Sequence, residues 1–385
     1  MNVWQDMDEA LAALEQQGMR RRLREIESAV GPRVRIGGRE VVCLCSNDYL
    51  SLAADPAVKA AAVEAIDRWG VGAGASRLVS GTTSAHVELE RRLAVFKGAE
   101  AAIVTSTGWA ANQVAIAALA AEGDLVLCDK LDHASILDAA LSCGARVRTY
   151  AHRDMGRLES LLSAYRAEYR RCLIVTDSLF SMDGDLAPLR ELVTLKNRFD
   201  AQLLIDEAHA TGVLGAGGRG AAELLGVERD VDAVVGTLSK AIGAAGGFVA
   251  GPRALIGTIV NTARAFIYTT APPPAICAAA MASLDIIETQ PQRRIRLCEL
   301  AGRLRDALHR AGLQTGESSS PIMPIIVGEA AAAVALSERL LERGFLVPAI
   351  RPPTVPRGTS RLRLSLCCGH EWSDLERFVD ALRMP

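Results

Sequence analysis

From Ala57 to about Val249 the chain alternates short apolar runs (AAIVTS, DLVLCD, RVRTY, CLIVTD, QLLIDE, DAVVGT, GGFVAG) with amphipathic or Ala-rich stretches of helical length. That alternation is the βαβ pattern of a mostly parallel, doubly wound sheet, so the expected fold class is α/β. After TTAPPPA at 269–275 a long helical segment over about 275–313 is followed by PIMPIIVG, another helix, GFLVPAI and RLRLSL. This reads as a smaller α/β domain with a short sheet. The first stretch, to about Glu27, reads as a helix with Met7, Leu11 and Leu14 on one face. Arg20, Arg21, Arg22 and Arg24 stand near its C-terminal end, where cations suit the helix dipole. The expected division is an N-terminal arm at 1–56, a large domain at 57–265 and a small C-terminal domain at 266–385.

Charge narrows the function. Forty-three Lys+Arg against 45 Asp+Glu leave a formal charge of −2. No basic field is available for nucleic acid and no polybasic patch for a membrane surface, so neither partner is expected. The opening residues lack the apolar core of a signal peptide, and no run reaches the ~18–20 apolar residues of a membrane span. A cytoplasmic protein is expected. Nine cysteines, odd in number and without a C-x-x-C pair, read as reduced core residues, so no metal is expected.

Only five lysines occur against 38 arginines, and Lys240 stands apart among them. It follows the apolar run DAVVGT and precedes AIGAAGG, small residues that let a bulky group approach the backbone. A lysine desolvated in that setting has the lowered pKa that a Schiff base needs, although a solvated lysine at a strand end reads equally well. QLLIDEAHATG ends a strand in Asp206 and continues through Glu207 to His209. At the carboxyl end of a parallel strand these side chains face the crevice where α/β sheets bind ligands. A helix cap or a metal pair is the other reading of D-E-x-H. With Lys240 placed 34 residues later, a carboxylate able to keep a pyridine nitrogen protonated beside an imine-forming lysine becomes coherent. In AAIVTSTGWAANQ a strand runs into Gly108 and Trp109 and then a helix, whose first N–H groups suit a phosphate. His133, just past DLVLCD, would share the crevice and stack on an aromatic ligand, or stand as a satisfied polar residue. The glycine cluster GVGAGASRLVSG at 70–81 fails as a dinucleotide fingerprint, because a helix precedes it and the third glycine is misplaced.

Taken together, SNDYLSL (46–52), GAGASRLVSGTTSAHVELE (72–90), STGWAANQ (106–113), DKLDHASILDA (129–139), DSLFSMDGDLAPL (177–189), IDEAHATGVLGAGGRG (205–220), TLSKAIGAAGG (237–247), IYTTAPPP (267–274) and RPPTVPRGTSRLRLSL (351–366) resemble the α-oxoamine synthases. These are a branch of the fold-type I pyridoxal-phosphate transferases, and the resemblance covers nearly the whole chain. It implies pyridoxal 5'-phosphate as cofactor, Lys240 as the Schiff-base lysine and Asp206 against the pyridine nitrogen. His133 would stack on the ring, His209 would touch its phenolic oxygen, and Ser181 would lie beside it. Gly108, Trp109 and Thr237 would bind the phosphate, with Thr270 reaching in from a second subunit of a homodimer with shared active sites. Arg363, helped by Asn47, would grip the amino-acid carboxylate. Arg20 and Thr354 would contact the acyl substrate. Within the branch, SRLVSG and RPPTVP-x-GT-x-RLRLSL are most similar to enzymes that condense L-alanine with a pimeloyl thioester, losing carbon dioxide, in biotin synthesis. The alternative is a relative using glycine or serine with another acyl-CoA. Three departures from the family pattern stand out: Trp109 replaces Phe or Tyr, Asp177 replaces Glu, and Ser51 replaces Gly.

Overall fold

In the computed structural model, which describes residues 2–383, all seven apolar runs are strands of one sheet. Across it they lie in the order Ala101–Thr105, Gly247–Gly251, Ala233–Thr237, Gln202–Asp206, Cys172–Asp177, Leu125–Asp129, Arg146–Tyr150. Gly247–Gly251 runs antiparallel to both neighbours, and the other pairings are parallel. Leu125–Asp129 and Cys172–Asp177 are buried at every residue, as strands covered on both faces must be, whereas the edge strand Arg146–Tyr150 is largely open. Ile103, Val114, Ile116, Val126, Leu173, Val175, Leu204, Val235 and Val249 interdigitate in one core cluster. Because the central strands share a direction, their carboxyl ends bring Asp177, Asp206 and Thr237, and the residues following Asp129, to one edge of the sheet.

The chain forms two units, neither contiguous in sequence. The larger holds Leu50–Ser181 and Leu186–Arg294. The smaller gathers the residues up to Tyr49, Met182–Asp185 and those from Ile295 onward. This differs from boundaries at 56 and 265. The helix Pro274–Thr289 packs on Pro56–Trp69 and so stays with the large unit. The arm segment instead contributes Arg33–Ile36 and Arg39–Cys43 to a three-stranded sheet with Phe345–Leu346. A second small sheet orders Ile322–Gly328, Ser360–Ser365 and Ala349–Ile350 with antiparallel pairing.

Two helices are shorter than periodicity alone suggests. The first ends at Gln16, not near Glu27, and Gly18 turns the chain at φ +65°, so the arginines at 20–24 follow the helix instead of closing it. Its apolar face stays exposed at Met7, Leu11 and Leu14. The stretch 275–313 is two helices, Pro274–Thr289 and Gln292–Arg310, since Pro291 cannot donate to the preceding turn.

Ser51 shows what replacing a glycine does. Its φ is +53°, in the left-handed region that penalises a Cβ, and its buried Oγ has no hydrogen-bond partner among the described residues. Ser51→Gly is expected to stabilise the protein by about 1 kcal/mol, read as a higher urea midpoint. A lower midpoint would mean that packing of the serine side chain outweighs the strain.

Asp124, fully buried just before Leu125–Asp129, caps Ala121 N–H and pairs with Arg171 at 2.7 Å and Arg170 at 3.2 Å. Burial raises its pKa, but the two arginines and the amide outweigh that and hold it below the usual carboxylate value. Its stabilisation is therefore present above the unfolded value of about 3.9 and lost as pH falls through the depressed folded value. The stability gap between wild type and Asp124→Asn should shrink on acidification from about pH 5 toward pH 3. A gap independent of pH would remove the ion pairs from the account.

Candidate active site

A cavity of about 180 Å³ opens at the carboxyl edge of the sheet, lined by Gly108, Trp109, Asn112, His133, Ser135, Asp177, Asp206, Ala208, His209, Thr237, Ser239 and Lys240. Residues from Gly108 to Lys240 converge here because each follows or ends a strand at that edge.

Asp206 ends Gln202–Asp206 and is buried. Its Oδ1 accepts from Ala208 N–H and its Oδ2 from Asn112 Nδ2, both at 2.7 Å. Such a carboxylate, held from its protein side, can keep a cationic ring N–H facing it. Lys240 sits in the tight turn after Ala233–Thr237, closed by Gly243 N–H to Lys240 O and Leu238 N–H to Gly246 O. Gly243 is required there. Its φ is +68°, and a Cβ would lie 2.5 Å from the backbone nitrogen of Ala53. The Lys240 Nζ stands 2.7 Å from His209 Nε2.

His133 caps the helix Ala134–Ser142, and its ring meets that of Trp109 edge-on with centroids 6.0 Å apart. Its backbone N–H donates to Asp177 Oδ2 at 2.7 Å. Burial lowers the His133 pKa; Asp206 raises it and Lys240 lowers it again, which favours an uncharged ring near neutrality. Burial, and then the neighbouring carboxylates, push both Asp177 and Asp132 well above the carboxylate range. Asp132 accepts from Asp177 N–H and Thr176 Oγ1, so these acids tie the strand ends together.

The anion cradle lies at the start of the helix Gly108–Leu119. Thr107 takes the N–H groups of Ala110 and Ala111, so those of Gly108 and Trp109 stand foremost. The hydroxyls of Thr237 and Ser239 lie 2.7 Å apart, and a Cβ on Gly108 would come within 3.3 Å of Thr237. A helix N-terminus flanked by hydroxyls suits a phosphate dianion.

The cavity thus gathers Gly108, Trp109, His133, Asp206, His209, Thr237 and Lys240. It does not gather the rest of the expected set. Ser181 is half-buried outside the lining, and Thr270 is exposed, bridged to Ser76 in the loop at 70–81. In the smaller unit the buried Arg363 directs both terminal nitrogens at Asn47 Oδ1, each at 3.2 Å. Arg20 and Thr354 meet at Arg351, whose guanidinium donates to Arg20 O and whose carbonyl accepts Thr354 N–H. Asn112, Ser135 and Ser239 are lining residues that pattern reading missed. The only clue was their place in STGWAANQ, DKLDHAS and TLSK.

The aminotransferase class I and II family model matches residues 39–382. The chain is 52% identical to an 8-amino-7-oxononanoate synthase of Geobacter sulfurreducens, over 97% of this chain and 95% of that one. It is 47% identical to one of Geotalea daltonii, covering 98% and 97%. Among solved structures, serine palmitoyltransferase of Sphingomonas wittichii superposes with a TM-score of 0.93 at 35% identity, covering 98% and 96%. An 8-amino-7-oxononanoate synthase of Francisella tularensis does so at 0.77 and 28%, covering 89% and 97%.

Proposed function

Because the chain belongs to the aminotransferase class I and II family, in its α-oxoamine synthase branch, we propose that it condenses L-alanine with a pimeloyl thioester to give 8-amino-7-oxononanoate, carbon dioxide and the free thiol, a step of biotin synthesis. The observation that carries this reading is identity of about 50% along nearly the full length of relatives with that activity. The higher TM-score to a serine palmitoyltransferase reflects a shared backbone, which does not choose between amino acids.

Pyridoxal 5'-phosphate is the cofactor, and when bound it supplies an electron sink for the amino acid's α-carbon. The cradle and the donor set fit it. The N–H groups of Gly108 and Trp109 and the Thr237 hydroxyl would hold its phosphate, and Asp206 would keep its ring nitrogen protonated. His133 would lie against the ring, and His209 would contact its phenolic oxygen. Lys240 would anchor the group, and its Nζ would remove the α-proton of alanine and later return one. Arg363, oriented by Asn47, takes the alanine carboxylate. Arg20 and Thr354 contact the acyl chain, and Ser181 lies beside the cofactor. A second copy of the chain supplies Thr270. The exposed Val71, Leu78, Val79 and Tyr268 around the Ser76–Thr270 bridge support such a homodimer. The reading places the enzyme in the cytoplasm, where its thiols stay reduced.

Thiol release from pimeloyl-CoA, assayed in parallel with L-alanine, glycine and L-serine, tests the substrate. Release with alanine is expected to dominate. Since one methyl or hydroxyl is worth only ~1–3 kcal/mol in a small pocket, weak turnover of the others is compatible with it. Faster release with glycine or serine would move the enzyme to another member of the branch.

The cradle has its own test. A Cβ at Gly247 would lie 2.6 Å from Thr107 O and 2.7 Å from Gly108 N, both backbone atoms. Gly247→Ala should therefore displace the Gly108 turn and weaken cofactor binding about tenfold or more, the loss expected of one hydrogen bond to a charged phosphate. Quenching of the nearby Trp109 reports the affinity, and an unchanged Kd would place the phosphate elsewhere.

A further inference from the structure

One hydrogen-bond chain crosses the cavity floor and joins two residues given separate tasks above. Asn112 Nδ2 donates one hydrogen to Asp206 Oδ2 at 2.7 Å and lies 2.9 Å from Ser135 Oγ. Ser135 Oγ lies 2.8 Å from His133 Nδ1, and the Ser135 backbone N–H points at the same nitrogen from 3.2 Å. Asn112, Ser135 and Asp206 are all nearly inaccessible to water.

Two donors of fixed direction set the others: the Asn112 amide, which Asp206 orients, and the Ser135 backbone N–H, which points at His133 Nδ1. A carboxylate only accepts, so Asn112 must present its NH₂ to Asp206; a flipped amide would set oxygen against oxygen. The price is visible, because Asn112 Oδ1 is left buried without a hydrogen-bond partner among the described residues. The second amide hydrogen then goes to Ser135 Oγ. Because the Ser135 backbone N–H makes His133 Nδ1 an acceptor, the Ser135 hydroxyl, which accepts from Asn112, gives its own hydrogen to that nitrogen. Two donors therefore converge on Nδ1, which must offer its lone pair.

We propose that Asn112 and Ser135 are positioning residues that lock the His133 ring in the tautomer carrying its proton on Nε2, so that the carboxylate at Asp206 dictates through them which ring nitrogen of His133 can donate. Which nitrogen of a histidine bears the proton is set by the bond its other nitrogen makes. Locked this way, His133 offers the cavity an N–H donor at Nε2 and never a base at that atom. It can steady a developing negative charge on a carbonyl or carboxylate oxygen of the substrate without competing with Lys240 for the α-proton. This consequence rests on the reading of His133 as a residue of the reacting site; the tautomer lock itself does not.

The test uses protein labelled with ¹⁵N-histidine, cofactor-free and cofactor-loaded, near pH 8, above the ordinary histidine value of about 6.5. Long-range proton–nitrogen spectra read the tautomer, and His133→Gln identifies its signals. The expected pattern is a protonated Nε2 and an unprotonated Nδ1 in both forms. In Ser135→Ala a measurable Nδ1–H fraction should appear, and Ser135→Thr, which keeps the hydroxyl, should restore the original pattern. Asn112→Leu repeats the test from the other end of the chain. A wild-type ring protonated at Nδ1, or a pattern that either Ser135→Ala or Asn112→Leu leaves unchanged, overturns the proposal. In the loaded enzyme the kcat of Ser135→Ala should fall about tenfold with little change in the KM for L-alanine, the scale on which orienting partners of functional histidines act. A shifted tautomer with undiminished turnover would uphold the lock and remove His133 from the reaction.

Discussion

Lys240→Ala is expected to purify as a folded protein that binds pyridoxal 5'-phosphate yet forms no 8-amino-7-oxononanoate. The fold should tolerate the change because Lys240 is only half-buried, at the rim of a cavity. Its Nζ contact with His209 is worth about 1 kcal/mol. The turn around it is closed by backbone bonds and by Gly243, none of which need the side chain. Catalysis has no such reserve. Under the proposed roles, the variant lacks both the amine that anchors the cofactor and the atom that carries the α-proton. A positioned proton-transfer group alone contributes about 10²–10⁴-fold, so the loss should reach at least the upper end of that range. Two readings separate the roles. Wild-type protein should show a visible absorption band that borohydride bleaches with covalent labelling of Lys240, and the variant should show no labelling. Exchange of the alanine α-hydrogen with deuterated water, without any acyl donor, should vanish as well. Turnover within tenfold of wild type would remove Lys240 from the chemistry.

Legibility in the sequence followed the range of the interaction that fixes each feature. The seven strands of the large sheet could be read because most of them are buried, and a buried strand is a local apolar run. Helix ends were harder. Pro291 divides 275–313 by a rule visible in sequence, but the periodic pattern runs across it. Gly18 ends the first helix 11 residues before the charge pattern suggests. The two units could not be read as consecutive domains, because Arg39–Cys43 pairs with Phe345–Leu346 some 300 residues away and no local signal announces that pairing. At the site, Lys240, Asp206 and His133 carry chemistry that stands out in combination, although each alone also reads as a structural residue. Asn112 and Ser135 do not, since each acts only through neighbours that the fold supplies: Asp206 lies 94 positions from Asn112, and Ser135 lies 23. Ser51 is the converse case. Its replacement of glycine was plain in the sequence, but its cost became visible only with φ at +53°.

Asp206→Asn should be the second most damaging change, and it distinguishes electrostatics from shape. Asparagine fills nearly the same volume, and its amide oxygen can still accept one of the two bonds now made by Ala208 N–H and Asn112 Nδ2. It cannot accept both and also face a protonated ring nitrogen, because one of its two heteroatoms is now a donor. Either the Asn112 amide meets another NH₂ or the ring nitrogen loses its counter-charge. In both cases the buried negative charge is gone, in a setting where charge stabilisation is worth most. Removing a preorganised electrostatic partner costs about 10²–10³-fold in kcat elsewhere, and a loss of that order is expected here. Deuterium exchange at the alanine α-carbon should fall with it, since stabilising that carbanion is the task assigned to Asp206. Cofactor affinity should fall far less, because the phosphate cradle and Lys240 are untouched. The pattern of outcomes matters more than the size of any one. Exchange at the wild-type rate would show that Asp206 does not face the ring nitrogen. Loss of the cofactor with exchange intact in the fraction still loaded would make Asp206 a binding residue only. Loss of exchange with cofactor retained is the result that a carboxylate buried at a strand end and held by Asn112 and Ala208 leads one to expect.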